Sequence, residues 1–175
     1  MLMDKASIFW VNTPFRKWFL NYVTKKYYSD YFSELKNNTI LEIGCGSGFG
    51  AEIIFKHFSP RKIVATDFDQ RLIDQARKNV LKKAISFERA DATKLTYKNE
   101  RFDAVFDYGV IHHIPSPEWK TCLNEVYRVL KPGGKVFLHD LSIESFKKNL
   151  YGRIIKIITI HPYDKMYRKQ EFIRY

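Results

Sequence analysis

The sequence predicts an α/β fold, with a mostly parallel, doubly wound sheet covered by helices on both faces. Three observations carry that expectation. From Thr39 to Asp140, short β-branched or aromatic runs alternate with helix-like stretches, which implies crossover units joining parallel strands. A glycine-rich turn, Gly44-Cys45-Gly46-Ser47-Gly48, stands between the first such run and the first helical stretch. Acidic residues then recur at or just after the ends of later runs, at Asp67, Asp91 and Asp107. Open parallel sheets bind ligands at that carboxyl edge.

The elements follow in order. Ile8 to Leu35 is aromatic and basic, and within it Phe15, Trp18, Phe19 and Tyr22 keep i, i+3, i+4, i+7 spacing, which predicts an amphipathic helix. Its apolar face packs on the sheet domain, closes as a lid over a pocket, or rests on a membrane surface. Residues 1–37 are assigned to this lid. Strands are expected at Thr39–Ile43, Lys62–Thr66, Ile85–Glu88, Ala104–Asp107 and Val136–His139. Helices are expected at Gly50–Phe58, Gln70–Lys82 and Pro117–Leu130. Asp69 is placed to cap the second of these, Ser116-Pro117 opens the third, and Lys131-Pro132-Gly133-Gly134 closes it. Residues 38–140 form the core and 141–175 an incomplete C-terminal region, all within one domain spanning 1–175.

Composition narrows the class. At 175 residues and 45% apolar content the chain can bury a real core. Its 30 Lys and Arg against 19 Asp and Glu give a charge of +11. Such an excess attracts nucleic acid, acidic lipid headgroups or a phosphorylated substrate, or simply coats a soluble protein with lysine. Cys45 and Cys122 make neither a disulfide framework nor a metal cluster. The N-terminus does not read as a signal peptide, and the apolar stretch Ile154–Ile160 is too short to span a bilayer. A cytoplasmic protein is expected.

The glycine turn lets the backbone come close to a ligand, and the helix after it offers free N–H groups. Alone this is weak, because NAD enzymes share the design. Asp67 can take both hydroxyls of a ribose, Phe68 can pack on adenine, and the carboxylate of Asp91-Ala92 can accept from adenine's amine. Asp107-Tyr108-Gly109 ends the fourth strand at the same edge. With LEIGCGSG, FDAVFDYGVIHHI and RVLKPGGKVFL, the ordered set from Ile40 to Asp140 resembles class I S-adenosylmethionine (AdoMet)-dependent methyltransferases. The resemblance is strongest to the small-molecule branch that includes ubiquinone and menaquinone C-methyltransferases.

It implies a Rossmann-like class I fold, AdoMet as cofactor and S-adenosylhomocysteine as product. It also implies that the backbone at Gly44, Cys45, Gly46 and Gly48 holds the methionine end, while Glu42 orders the loop or meets the amino group indirectly. Asp67, Phe68, Asp91, Ala92, Asp107, Tyr108 and Gly109 complete the expected cofactor site. The Gly-x-Gly-x-Gly register and the Lys131–Gly134 turn speak against a nicotinamide oxidoreductase.

Methyl transfer from a sulfonium is an in-line displacement needing position and dryness, with a base only for a protonated nucleophile. The candidates are Tyr108, His112 and His113, with the histidine pair otherwise shaping the loop. No metal is expected, since adjacent histidines do not converge on one ion. The Asn/Asp-Pro-Pro-Tyr tetrapeptide of amino-group methylators is replaced by Asp107-Tyr108-Gly109-Val110, so nucleic acid is disfavoured. A small or lipid-like acceptor is expected, with an anionic one among the options, and with peripheral membrane contact. A non-catalytic AdoMet-binding module or partner subunit is the alternative, and an RNA methyltransferase a weaker one. The family's fold ends in a helix and an antiparallel hairpin, for which 141–175 leave no room. Either the chain is a piece of a longer protein, or the apolar edge at Val136–His139 is covered otherwise, by Ile154–Ile160 or in a homodimer.

Overall fold

Thr13 starts the first helix: its hydroxyl accepts from the Arg16 N–H at 3.3 Å, and Pro14 follows at the first helical position. The computed structural model describes residues 8–9 and 12–139. In order these form α1 (Pro14–Tyr28), β1 (Thr39–Ile43), α2 (Phe49–Phe58), β2 (Lys62–Asp67), α3 (Gln70–Asn79), β3 (Ile85–Arg89), β4 (Phe102–Asp107), α4 (Trp119–Val129) and β5 (Leu130–Leu138). The five strands make one all-parallel sheet in the order β3-β2-β1-β4-β5. The chain therefore builds outward from β1 to β3, then returns to lay β4 on the other side of β1. That reversal opens a crevice at the carboxyl ends of β1 and β4.

The central strands β1, β2 and β4 are buried on both sides, as parallel strands between helices must be. In β1, Ile40 joins the apolar cluster under α1, α2 and α3, whereas Leu41 and Ile43 join the one under α4. Ala104 and Phe106 of β4 face the first cluster, Phe102 and Val105 the second. The doubly wound α/β expectation is met.

Element ends differ from the sequence expectation for local reasons. The second predicted helix stops at Asn79 rather than Lys82, because Val80 turns extended (φ −126°, ψ 100°) to bury its side chain. Ser116–Glu118 is a 3-10 turn, so the third begins at Trp119 and ends at Val129. The fifth strand begins at Leu130 rather than Val136. Its register jumps from Phe102↔Leu130 to Ala104↔Lys135, so Lys131-Pro132-Gly133-Gly134 bulges out of the ladder instead of preceding it. Within the described sheet β5 is an edge strand, with Phe137 buried and Val136 exposed. The expectations for 141–175, including the missing hairpin, lie outside the described residues. No helix among the described residues is long and apolar enough to cross a membrane.

Candidate functional site

The chain leaves β1 through Gly44, whose φ of +62° suits glycine and whose Cβ would fall 1.7 Å from Val110 Cγ2. No other residue fits there. The turn is then clamped to β2. The Cys45 N–H donates to the Thr66 carbonyl at 2.8 Å, and the Thr66 hydroxyl donates to the Glu42 carbonyl at 3.0 Å. The Gly46 N–H donates to Asp67 Oδ2 at 2.9 Å, and the Gly48 N–H to the Cys45 carbonyl at 2.9 Å, with Gly48 capping α2.

At the end of β2, Asp67 Oδ1 also accepts from the Asp69 N–H at 2.9 Å. Burial pushes the Asp67 carboxyl up, against the pull of those two N–H donors. Phe68 stays 40% exposed, with the Arg89 guanidinium 5.6 Å from its ring centroid. After β3, Asp91 folds back on its own turn, Oδ1 accepting from the Thr93 N–H at 2.8 Å and hydroxyl at 2.7 Å.

After β4, the fully buried Asp107 shapes the next loop: its Oδ1 accepts from the N–H groups of Gly109 (3.0 Å) and Val110 (2.8 Å). Tyr108 reaches back to α1. Its hydroxyl shares a hydrogen with Thr24 Oγ1 at 2.8 Å, and its carbonyl accepts from Arg16 Nη2 at 2.6 Å. Burial pushes the Tyr108 phenol far up, out of a base's range. A 3-10 turn, Ile111–His113, brings the two imidazoles to 4.0 Å between centroids, with His112 buried. Trp119 pins that turn by donating Nε1–H to the carbonyls of Ile111 (3.1 Å) and Ile114 (2.9 Å).

Beneath the loop lies Glu42, only 1% exposed, with Oε2 lacking any hydrogen-bond partner among the described residues. Gly50 makes room for it, since a Cβ there would stand 1.9 Å from Glu42 Oε1. Burial, reinforced by the Asp67 charge, lifts the Glu42 carboxyl to about 8, while Arg16 and the Ala51 N–H pull the other way. Burial likewise pushes the Cys45 thiol up, so it is no nucleophile.

These groups enclose a cavity of about 430 Å³ at the β1/β4 switch point. Among the expected residues, Glu42, Gly44, Cys45, Gly46, Asp67, Phe68, Asp91, Ala92, Tyr108, Gly109 and His113 line it. Gly48, Asp107 and His112 do not; they cap, brace and pack behind it. The sequence reading missed Arg16, which enters the cavity from α1. The helical pattern had marked only the aromatic side chains around it.

The sequence model of the family described as "Methyltransferase domain" matches residues 40–134, from β1 into β5. The chain belongs to that family. This methyltransferase domain is similar to a ubiquinone biosynthesis O-methyltransferase of Coxiella burnetii, 29% identical over 75% of this chain and 55% of the relative. It is also similar to a demethylmenaquinone methyltransferase of Lactobacillus johnsonii, 32% identical over 64% of this chain and 48% of the relative. The chain thus spans about half the length of the curated relatives it matches. A SAM-dependent methyltransferase from Aquifex aeolicus superposes with a TM-score of 0.75 at 20% identity, covering 98% of this chain and 85% of that one. At that identity the likeness shows the fold: the methyltransferase domain has the Rossmann-like class I architecture.

Proposed function

We propose that the chain is the cofactor-binding part of an AdoMet-dependent methyltransferase acting on a small or lipid-like acceptor. The observation that carries this reading is the set of groups meeting at one cavity: glycine loop, Glu42, Asp67, Phe68 and Asp91. The cavity's volume lies within the roughly 300–1,000 Å³ of small-molecule sites. The residues fit the cofactor chemically. Glu42 offers the ammonium end a buried carboxyl oxygen that has no hydrogen-bond partner among the described residues. Each Asp67 oxygen uses one lone pair on the loop and keeps another for a ribose hydroxyl. Phe68 presents an exposed ring to an adenine face, with the Asp91 carboxylate beside it for the amine.

Bound AdoMet supplies a methyl group on a sulfonium, a leaving group that departs neutral and needs no acid. The chain's own work is to position and to keep water out. The loop and Arg16 hold the reacting end, and α1 roofs the cavity. Of the three candidate bases, His113 is the imidazole that lines the cavity. His112 is buried behind it, and the Tyr108 hydroxyl is engaged by Thr24. The quinone names of the Coxiella and Lactobacillus relatives support an aromatic, amphipathic acceptor for this chain.

Calorimetric titration with AdoMet, S-adenosylhomocysteine and NADH tests the reading. Both sulfur ligands are expected to bind in the micromolar range, and NADH not to bind. Asp67→Ala should weaken both by about tenfold or more, since it removes hydrogen bonds to a carboxylate. Binding of NADH in place of S-adenosylhomocysteine would overturn the assignment.

A further inference from the structure

Helix α1 has a second face, turned away from the sheet, whose aromatic side chains stay exposed. Leu20, Val23 and Thr24 are buried against the sheet domain. On the opposite side Phe15, Trp18 and Tyr22 remain 42%, 60% and 45% exposed. Helical spacing puts these three rings in one row, and they touch along it. Phe15 and Trp18 lie 5.7 Å apart between centroids, Trp18 and Tyr22 6.0 Å apart and nearly parallel at 13°. Exposed Lys25 and Lys26 follow in the last turn, with the Lys26 ammonium 5.5 Å from the Tyr22 ring centroid. The helix, PFRKWFLNYVTKKYY, contains no Asp or Glu.

We infer that this face of α1 docks on the surface of an anionic lipid bilayer. Aromatic rings favour the boundary between headgroups and acyl chains, and lysines beside them meet anionic headgroups. The chain's +11 charge adds long-range attraction to the same surface. A single-stranded nucleic acid also likes rings and cations, but it needs separated platforms on which bases stack. Here Trp18 and Tyr22 already stack on each other, and Phe15 leans on Trp18 at 36° to continue the strip.

The packed side of the same helix holds the cavity roof, through Arg16 to the Tyr108 carbonyl and Thr24 to its hydroxyl. Docking therefore sets the cavity beside the headgroup layer, where an amphipathic molecule can pass in without crossing water. The docking itself does not depend on the methyl-transfer reading, because its test reads binding alone.

The test is co-sedimentation of the full chain with vesicles of phosphatidylcholine and phosphatidylserine in equal parts, beside phosphatidylcholine alone. Binding is expected to the mixed vesicles, at least tenfold weaker to the neutral ones. Lys25→Gln with Lys26→Gln should weaken it by about fivefold per lysine, and Trp18→Ser with Tyr22→Ser by more than tenfold. Both pairs change exposed side chains, and matching thermal melts establish that the fold is kept. A measurement that needs neither pair is quenching by brominated acyl chains in a Trp10→Phe background. Trp18 should then be quenched, because Trp119 is buried. Equal binding to both vesicle types, unchanged binding by both variant pairs, or no quenching would each overturn the proposal. So would a uridine oligonucleotide binding through these residues while vesicles do not.

Discussion

Glu42 stands in an environment far from what its type prefers. A carboxyl taken out of water beside another acid keeps its proton, and its ordinary value of 4.5 rises to about 8. The folded chain then binds more protons than the unfolded one between those two values. Stability is full below pH 4.5 and is lost as pH rises through about 8. Glu42→Gln removes that dependence while keeping shape. Its melting temperature should lose the fall due to Glu42 across the window and exceed the parent's above pH 8, by the equivalent of a few kcal/mol. Melts in a buffer series check this, and parallel curves for the two proteins would contradict it. The same substitution removes the carboxyl that would answer a cationic ligand, so a gain in stability there is expected to come with a loss in AdoMet affinity.

At the scale of elements, α1 meets the loop after β4 at Tyr108, through Arg16 on its carbonyl and through the buried Thr24 on its hydroxyl. Removing one partner strands the other hydroxyl, at a cost of about 1–3 kcal/mol, whereas removing both is nearly neutral. Thr24→Val and Tyr108→Phe should therefore each destabilise the chain, and the double variant should recover most of the loss. Hydrogen exchange at α1 amides should quicken in each single variant before that of β1 or β4. Simple additivity in urea melts would show the contact to be idle. The pair also marks where sequence reading ended. β1, β2 and α2 were legible because alternation, caps and glycine turns are local signals. The bulge at Lys131–Gly134 was not, because it arises from how β5 registers on β4. Nor was Arg16, whose place in the cavity depends on how α1 lies across Tyr108. Glu42, Asp67 and His113 were legible as candidates. That Asp107 and His112 serve behind the cavity was decided by burial, which a strand-end position does not reveal.

For the whole molecule, the sheet order that creates the crevice must be held by packing on its α1–α2 side, and one ring there meets several elements at once. Phe106 stacks on Phe137 of β5 at 4.4 Å and 11°, meets Phe58 of α2 at 5.1 Å edge-on, and meets Tyr28 of α1 at 6.3 Å. It thus joins four elements from the residue directly before Asp107, whose carboxylate orders the loop that closes the cavity. Replacing a buried Phe by Ala costs about 3–5 kcal/mol, a large part of the roughly 5–15 kcal/mol that holds a domain. Phe106→Ala should lower the unfolding free energy by that amount, read as a lower urea midpoint at an unchanged slope. Tyr127→Ala, at an 81% exposed ring, should stay within about 0.5 kcal/mol. Because β4 loses its grip on β5, α1 and α2 together, AdoMet affinity should fall at urea concentrations where the parent still binds fully. A Phe106→Ala protein that melts like Tyr127→Ala would mean that the four elements are fastened elsewhere, and that the crevice is set by the strand ladder alone.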